Sequence, residues 1–166
     1  MGDGGEYRCP KCGYRFVANL GVGFMFPSVY AKIVAKMKKG ELGEEAKQFF
    51  MDHPDGAVNA ENVLAVCEEC GSYEVVPELS LYIPKTGYVH KRHGREDLDE
   101  EMARIIDYVT QWELEEHYDK IGQLEQRCRS CDGKLKILGG ETYDCQDLTC
   151  PCCGETMVMD GIMFWD

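Results

Sequence analysis

Arg8-Cys9-Pro10-Lys11-Cys12-Gly13-Tyr14 near the start, and Thr149-Cys150-Pro151-Cys152-Cys153-Gly154 near the end, are the stretches on which the fold turns. Each sets two cysteines three positions apart, with a Pro after the first and a Gly after the second. Two further pairs share the spacing, Cys67/Cys70, followed by Gly71, and Cys128/Cys131, where the glycine comes one position later as Gly133. A tight turn over two residues points both sulfurs at one ion, at Zn–S distances near ~2.3 Å. Gly after the second Cys permits the positive φ that such a turn requires, and Pro after the first supplies a fixed φ.

Four pairs make two tetrahedral thiolate sites. Loop-closure entropy favours pairing neighbours in sequence, so the expected sets are Cys9, Cys12, Cys67, Cys70 and Cys128, Cys131, Cys150, Cys153. The metal these sites predict is Zn²⁺, two per chain. Iron and disulfides are the alternatives. A redox C-x-x-C normally occurs once, before a helix, whereas four copies flanked by strand-like sequence read as metal sites. Of ten cysteines two are left over, Cys145 and Cys152, and either could replace a ligand of the second site. The spacing and Gly154 favour Cys150 with Cys153. A spare thiol is most simply an apolar filler.

A four-cysteine site built from two knuckles on β-hairpins resembles the zinc ribbon, a rubredoxin-like arrangement of short strands. The whole chain also resembles a group of small bacterial double zinc-ribbon proteins of unassigned function, through a segment like Gly21-Val22-Gly23-Phe24-Met25-Phe26-Pro27-Ser28-Val29-Tyr30. The resemblance implies an architecture and supplies no activity. Cys9-Pro10-Lys11-Cys12-Gly13-Tyr14 reads in addition like the first knuckle of a rubredoxin, which is the basis of an iron electron-carrier reading.

The expected fold is α+β. Residues 1–84 form the first ribbon, with a helical hairpin inserted at about 28–53. Residues 85–120 form a basic loop and a connecting amphipathic helix. Residues 121–166 form the second ribbon with a C-terminal β-hairpin. Ser28 reads as the N-cap of a helix over 29–39 with Val29, Ile33, Val34 and Met37 inward, ended by Gly40. A second helix over 44–51 turns Ala46, Phe49 and Phe50 inward and stops at Pro54. Strands are expected at 14–18, 62–66, 73–76 and 79–83. The longest helix is expected over 96–118, with Leu98, Met102, Ile105, Val109 and Trp112 in an a/d-type seam. Asp160-Gly161 between two apolar runs reads as a hairpin turn.

The chain has 166 residues, with 18 basic and 30 acidic side chains, a formal net charge of −12. Thiolates around metal ions make it more negative still. Such a charge opposes nucleic acid and anionic membranes. Nucleic-acid contact would need a local patch: Lys32, Lys36, Lys38 and Lys39, or His90-Lys91-Arg92-His93-Gly94-Arg95. The simpler reading of the first is a solvated helix face, and of the second, pairing with the acidic run 96–101. His90 and His93 have ligand spacing but no evident carboxylate partner in sequence. No stretch approaches the ~20 apolar residues of a membrane span. The glycine-rich acidic start is unlike a signal peptide, so a cytoplasmic location is expected. No Walker loop, nucleophile elbow or His-Glu-x-x-His is present, and four thiolates leave an ion no open position. The expected function is therefore a non-enzymatic protein-interaction or regulatory module. Apolar surface in excess of what one ribbon hides favours a homodimer.

Overall fold

The computed structural model describes residues 2–90, 107–140 and 147–165. Nine strands and three helices are present among them: β1 (Gly2–Arg8), β2 (Arg15–Leu20), α1 (Phe26–Lys39), α2 (Glu44–Asp52), β3 (Ala57–Val58), β4 (Asn62–Cys67), β5 (Tyr73–Pro77), β6 (Ser80–Pro84), α3 (Gln111–His117), β7 (Tyr118–Gln123), β8 (Leu135–Gly139) and β9 (Val158–Trp165). They form two compact units that interleave along the chain. The first comprises Met1–Phe24, Glu61–Glu78 and Glu125–Asp166; the second comprises Met25–Ala60 and Leu79–Leu124. The consecutive segments 1–84, 85–120 and 121–166 are thus not the compact units. The physical reason is strand pairing across long separations, which sequence proximity does not reveal.

The first unit contains two three-stranded sheets of the same plan. One has the order β2-β1-β9 and the other β5-β4-β8. In each, two consecutive strands form an antiparallel hairpin around a C-x-x-C turn, and a third strand from much later in the chain pairs antiparallel with the first. Leu20 and Leu64 are fully buried, and Tyr7, Leu148 and Met157 join them in one apolar core. Phe16 stacks on Tyr7 and on Tyr73, with ring centroids 5.0 Å apart in both cases.

β1 is a strand the sequence hides. Three of its seven residues are Gly, which strands disfavour, yet it lies at the centre of its sheet. At Gly2 a Cβ would fall 2.5 Å from the Trp165 Nε1 atom. Glycine there lets the indole N–H donate to the carbonyls of Asp3, at 3.0 Å, and Leu20, at 2.9 Å.

The C-terminal hairpin is not formed. Val158–Trp165 is one strand on the free edge of its sheet. Asp160-Gly161 makes a bulge instead of a turn: Gly5 faces Ile162 and Tyr7 faces Met159, so two residues of β9 oppose Glu6 alone. Arg8 on the neighbouring strand holds the Asp160 carboxylate. This pairing with β1 competes with, and replaces, local hairpin closure.

The second unit carries the sheet β3-β6-β7 together with α1, α2 and α3. α1 starts at Phe26, with Pro27 in its first turn and no side-chain cap; Gly40, at φ 79°, ends it as expected. Its inward residues are Phe26, Tyr30 and Met37, whereas Val29 is 40 % exposed. Ile33 and Val34 are half-buried, so the buried stripe is centred on Tyr30 and Met37 rather than on Val29. Phe24 and Met25 are also exposed, so the apolar run before α1 is only partly hidden. α2 buries Ala46, Phe49 and Phe50 as the pattern requires and packs against α1.

The long helix expected over 96–118 is corrected in its last part. Residues 107–110 are not helical, and α3 begins at Gln111 behind Thr110. The Thr110 side chain accepts from the Glu113 N–H at 3.2 Å while Glu113 accepts from the Thr110 N–H at 2.9 Å, a full capping box. That N-terminus overrides the apolar period. Trp112, placed in the seam, is 65 % exposed. Leu98, Met102 and Ile105 lie outside the described residues. Lys85 reaches the end of α3, its Nζ donating to the Glu116 carbonyl at 2.8 Å.

Thr110→Ala removes the side-chain acceptor of this box. The expected loss is about 1 kcal/mol of stability in the second unit, read as a shift of the urea midpoint with unchanged slope; an unshifted midpoint refutes the role of the cap.

Candidate metal centre

All four C-x-x-C turns share one backbone design. The N–H four residues after the first Cys returns to its carbonyl: Gly13 to Cys9 at 3.1 Å, Gly71 to Cys67 at 3.0 Å, Asp132 to Cys128 at 2.9 Å and Gly154 to Cys150 at 2.9 Å. The residue donating this bond has φ between 61° and 76° in each turn. Gly fills three of these positions. Asp132 fills the fourth, a residue type that tolerates the left-handed region better than most. Within the turns, backbone N–H groups approach the first sulfur, Cys12 to Cys9 and Cys70 to Cys67 at 3.5 Å and Ser130 to Cys128 at 3.4 Å. Knuckle spacing alone thus fixes where the first thiol of each pair lies: Cys9, Cys67, Cys128 and Cys150 are all buried.

The turns combine in a crossed order. One group is Cys9, Cys12, Cys150 and Cys153; the other is Cys67, Cys70, Cys128 and Cys131, and in each the sulfurs lie within 4.8 Å of one another. The expected sets of neighbouring pairs are therefore wrong. Entropy favours short loops, but β9 pairs with β1 and β8 with β4. Those ladders carry the last knuckle to the first and the third to the second. The inner group is nested inside the outer.

The sulfur geometry suits a cation. Cys9 and Cys153 lie 3.5 Å apart, as do Cys12 and Cys150; Cys67 to Cys131 is 3.4 Å and Cys70 to Cys128 is 3.7 Å. A tetrahedron with ~2.3 Å metal–sulfur bonds has edges near ~3.8 Å, whereas a disulfide needs ~2.05 Å. The nine described cysteines are free thiols. Cys152 is exposed and outside the four-sulfur group, and Cys145 lies outside the described residues.

Two thiols are strongly acidified. The Cys12 N–H, against a burial penalty and helped by the Lys11 N–H, draws Cys9 down to about 6. The Ser72 hydroxyl and then the Ser72 N–H do the same for Cys70, to about 6. Ser72 Oγ lies 3.0 Å from Cys70 Sγ and 3.4 Å from Cys128 Sγ. Cys131 takes a favourable contact from the Gly133 N–H, yet the crowding Cys67 and Cys70 sulfurs push it up to about 12. Sulfurs this close ionise together only around a positive charge, which is the demand a divalent cation meets. Gly133 completes the inner cradle, since a Cβ there would fall 2.9 Å from Cys67 Sγ. Burial, then the Cys150 charge, push Cys152 upward, away from the profile of a reactive thiolate.

The second unit holds a cavity of about 430 Å³ walled by Tyr30, Phe50, Tyr88, Tyr118, His90 and Asp107 among others. No carboxylate partner of His90 is evident from spacing, but Asp107 lies 3.0 Å from Nε2 and Glu113 3.9 Å from Nδ1. Burial pushes the Tyr30 and Tyr118 phenols up. The described lining offers no Ser, Thr or Cys nucleophile. His93, three positions after His90, lies outside the described residues, as do Lys91, Arg92 and Arg95 of the basic run.

No protein-family model, curated protein or solved structure matches this chain. No described helix is long and apolar enough to cross a membrane.

Thiols must lose their protons to bind a cation, so metal affinity at both groups falls as pH falls. Metal-loaded protein is expected to release its ions on acidification, as followed by a chromophoric chelator. Full retention at pH 3 contradicts the assignment.

Proposed function

We propose that the chain is a zinc-binding, non-enzymatic protein-interaction or regulatory module. Cys9, Cys12, Cys150 and Cys153 hold one structural Zn²⁺, and Cys67, Cys70, Cys128 and Cys131 the other. The observation that carries this reading is the convergence of four sulfurs, twice, on turns of one backbone design. A hairpin knuckle, a second knuckle and a third strand beside the first make each copy a zinc ribbon. Each ion contributes on the order of 10 kcal/mol to folding of so small a module. Four thiolates fill the coordination sphere, which leaves no position for an activated water.

Elemental analysis of untagged protein is expected to give two zinc ions per chain. Cys9→Ser should lower this to one, and Cys152→Ser should leave two. Iron in place of zinc, with visible charge-transfer bands, identifies the rubredoxin-like carrier instead, a reading supported by the Cys9-Pro10-Lys11-Cys12-Gly13-Tyr14 knuckle.

Nucleic acid fits the surface poorly. The net charge of −12 opposes it, and Lys38 is engaged over the Phe50 ring at 5.0 Å. Fluorescence anisotropy with mixed RNA and DNA at physiological salt should show no sub-micromolar binding; tight, salt-steep binding selects the nucleic-acid reading.

The homodimer has a suitable surface in β9. Ile162 and Phe164 are 61 % and 71 % exposed on an edge whose outer backbone groups pair with no described strand. An antiparallel edge is self-complementary about a two-fold axis, so a second copy fits it without further elements. Light scattering at micromolar concentration should give twice the 18.8 kDa chain mass, and Ile162→Lys should halve it. A monomeric wild type refutes the dimer.

A further inference from the structure

The two four-sulfur groups are not equivalent, and the difference concerns what holds the second knuckle of each in place. The inner group is supported from within its own sheet. Glu74 on β5 accepts from the Arg129 N–H at 2.8 Å and faces its Nε at 3.4 Å. The Glu68 N–H donates to the Lys134 carbonyl at 3.0 Å, and Gln126 reaches the Pro77 carbonyl at 2.7 Å. Ser72 adds its hydroxyl to two of the four sulfurs.

The outer group leans on the inner one. Its second knuckle begins at Thr149, and both backbone groups of Thr149 are taken by one phenol of the inner hairpin. The Tyr73 hydroxyl donates to the Thr149 carbonyl at 2.9 Å and accepts from the Thr149 N–H at 3.0 Å. The same Tyr73 ring stacks on Phe16 beside the first outer knuckle. Pro151, inside the outer knuckle, sits against the inner turn: a Cβ on Gly71 would lie 3.6 Å from its Cβ. Tyr14 holds the position matching Ser72, after Cys12-Gly13, and the contacts of the outer sulfurs are with one another and with the Cys12 N–H rather than with a serine hydroxyl.

Chain topology acts in the same direction. Closing the inner group joins residues 58 positions apart, Cys70 to Cys128, whereas the outer joins Cys12 to Cys150 across 138. Loop-closure scaling alone lowers the effective concentration of the outer knuckles about four-fold when the inner group is open. Closing the inner group also sets Tyr73 and Gly71 where Thr149 and Pro151 dock.

We infer that metal loading is hierarchical: the inner site is the permanent structural centre, and the outer site is an exchangeable metal position whose affinity depends on the inner site through Tyr73. This rests on the two-site reading above and assigns a regulated role to one of the two ions. The outer ion is last in and first out. Its occupancy follows the free metal level over a range in which the inner site stays full.

Cobalt(II) titration of the metal-free full chain under reducing, anaerobic conditions tests this, read by the visible bands of tetrathiolate cobalt. Two binding steps are expected. Cys9→Ser/Cys12→Ser should keep one step, with the affinity of the first wild-type step within about two-fold. Cys67→Ser/Cys70→Ser should bind its single ion at least ten-fold more weakly than the second wild-type step. Tyr73→Phe keeps every ligand and the ring, and should weaken the second step at least about five-fold, since both hydrogen bonds of the hydroxyl to Thr149 are lost, with the first unchanged. The hierarchy is overturned if the Cys67→Ser/Cys70→Ser chain binds as tightly as the second wild-type step, or if the Cys9→Ser/Cys12→Ser chain loses the first step. It is equally overturned if Tyr73→Phe moves both steps together or neither. A wild-type chain that takes up fewer than two cobalt ions refutes the two-site reading itself.

Discussion

Convergence of four sulfurs on one point is the constraint from which the first unit is built. A C-x-x-C turn places only two sulfurs. The other two must come from a second turn, and a strand must bring it there. β9 beside β1 and β8 beside β4 are those strands. The apolar core is arranged around the same points, since the buried cysteines are themselves core members: Cys9 and Cys150 pack with Leu20 and Leu64, and Cys67 and Cys128 with Val63 and Leu135. The residues that could hold a metal are thus the same ones that the apolar core buries.

Nesting changes the energetics of such a module. Two consecutive four-cysteine modules would fold independently, each closing a short loop. Here the sheet of the outer group spans the inner one in sequence, and the two meet through Tyr7, Phe16 and Tyr73. The segments of the second unit interrupt the first at two places in the sequence. Loop length costs little per added residue, which is why insertions of this size are compatible with closure of the sites.

The local chemistry was legible in the sequence and the long-range pairing was not. Spacing, Gly and Pro identified all four knuckles, the choice of Cys153 over Cys152, the ending of α1 at Gly40 and the buried face of α2. Each of these is decided within a few residues. Which knuckle meets which is decided by strand pairing between distant residues, such as Cys67 with Leu135 and Arg8 with Val158, and neighbour preference pointed the wrong way. β1 is masked by its three glycines, although Gly2 makes room for Trp165 and Gly5 for Met159. Asp160-Gly161 has the composition of a turn; only the presence of β1 alongside turns it into a bulge. The Thr110/Glu113 box, by contrast, was readable as Thr-x-x-Glu and was overlooked in favour of a seven-residue period.

The crossed order of the cysteines also has a consequence in time. A ribosome adds about 5–20 residues per second. Cys12 and Cys150 are 138 positions apart, so the first knuckle waits roughly ten seconds, on that synthesis rate, before its partner exists. Throughout that interval the growing chain carries a thiol pair with no mate. The inner pair is completed earlier and can already be closed when the last knuckle emerges onto it. A nascent chain that stops short of Cys150 has all four inner cysteines but only two of the outer four, and it lacks β9 and the core residue Met157 as well.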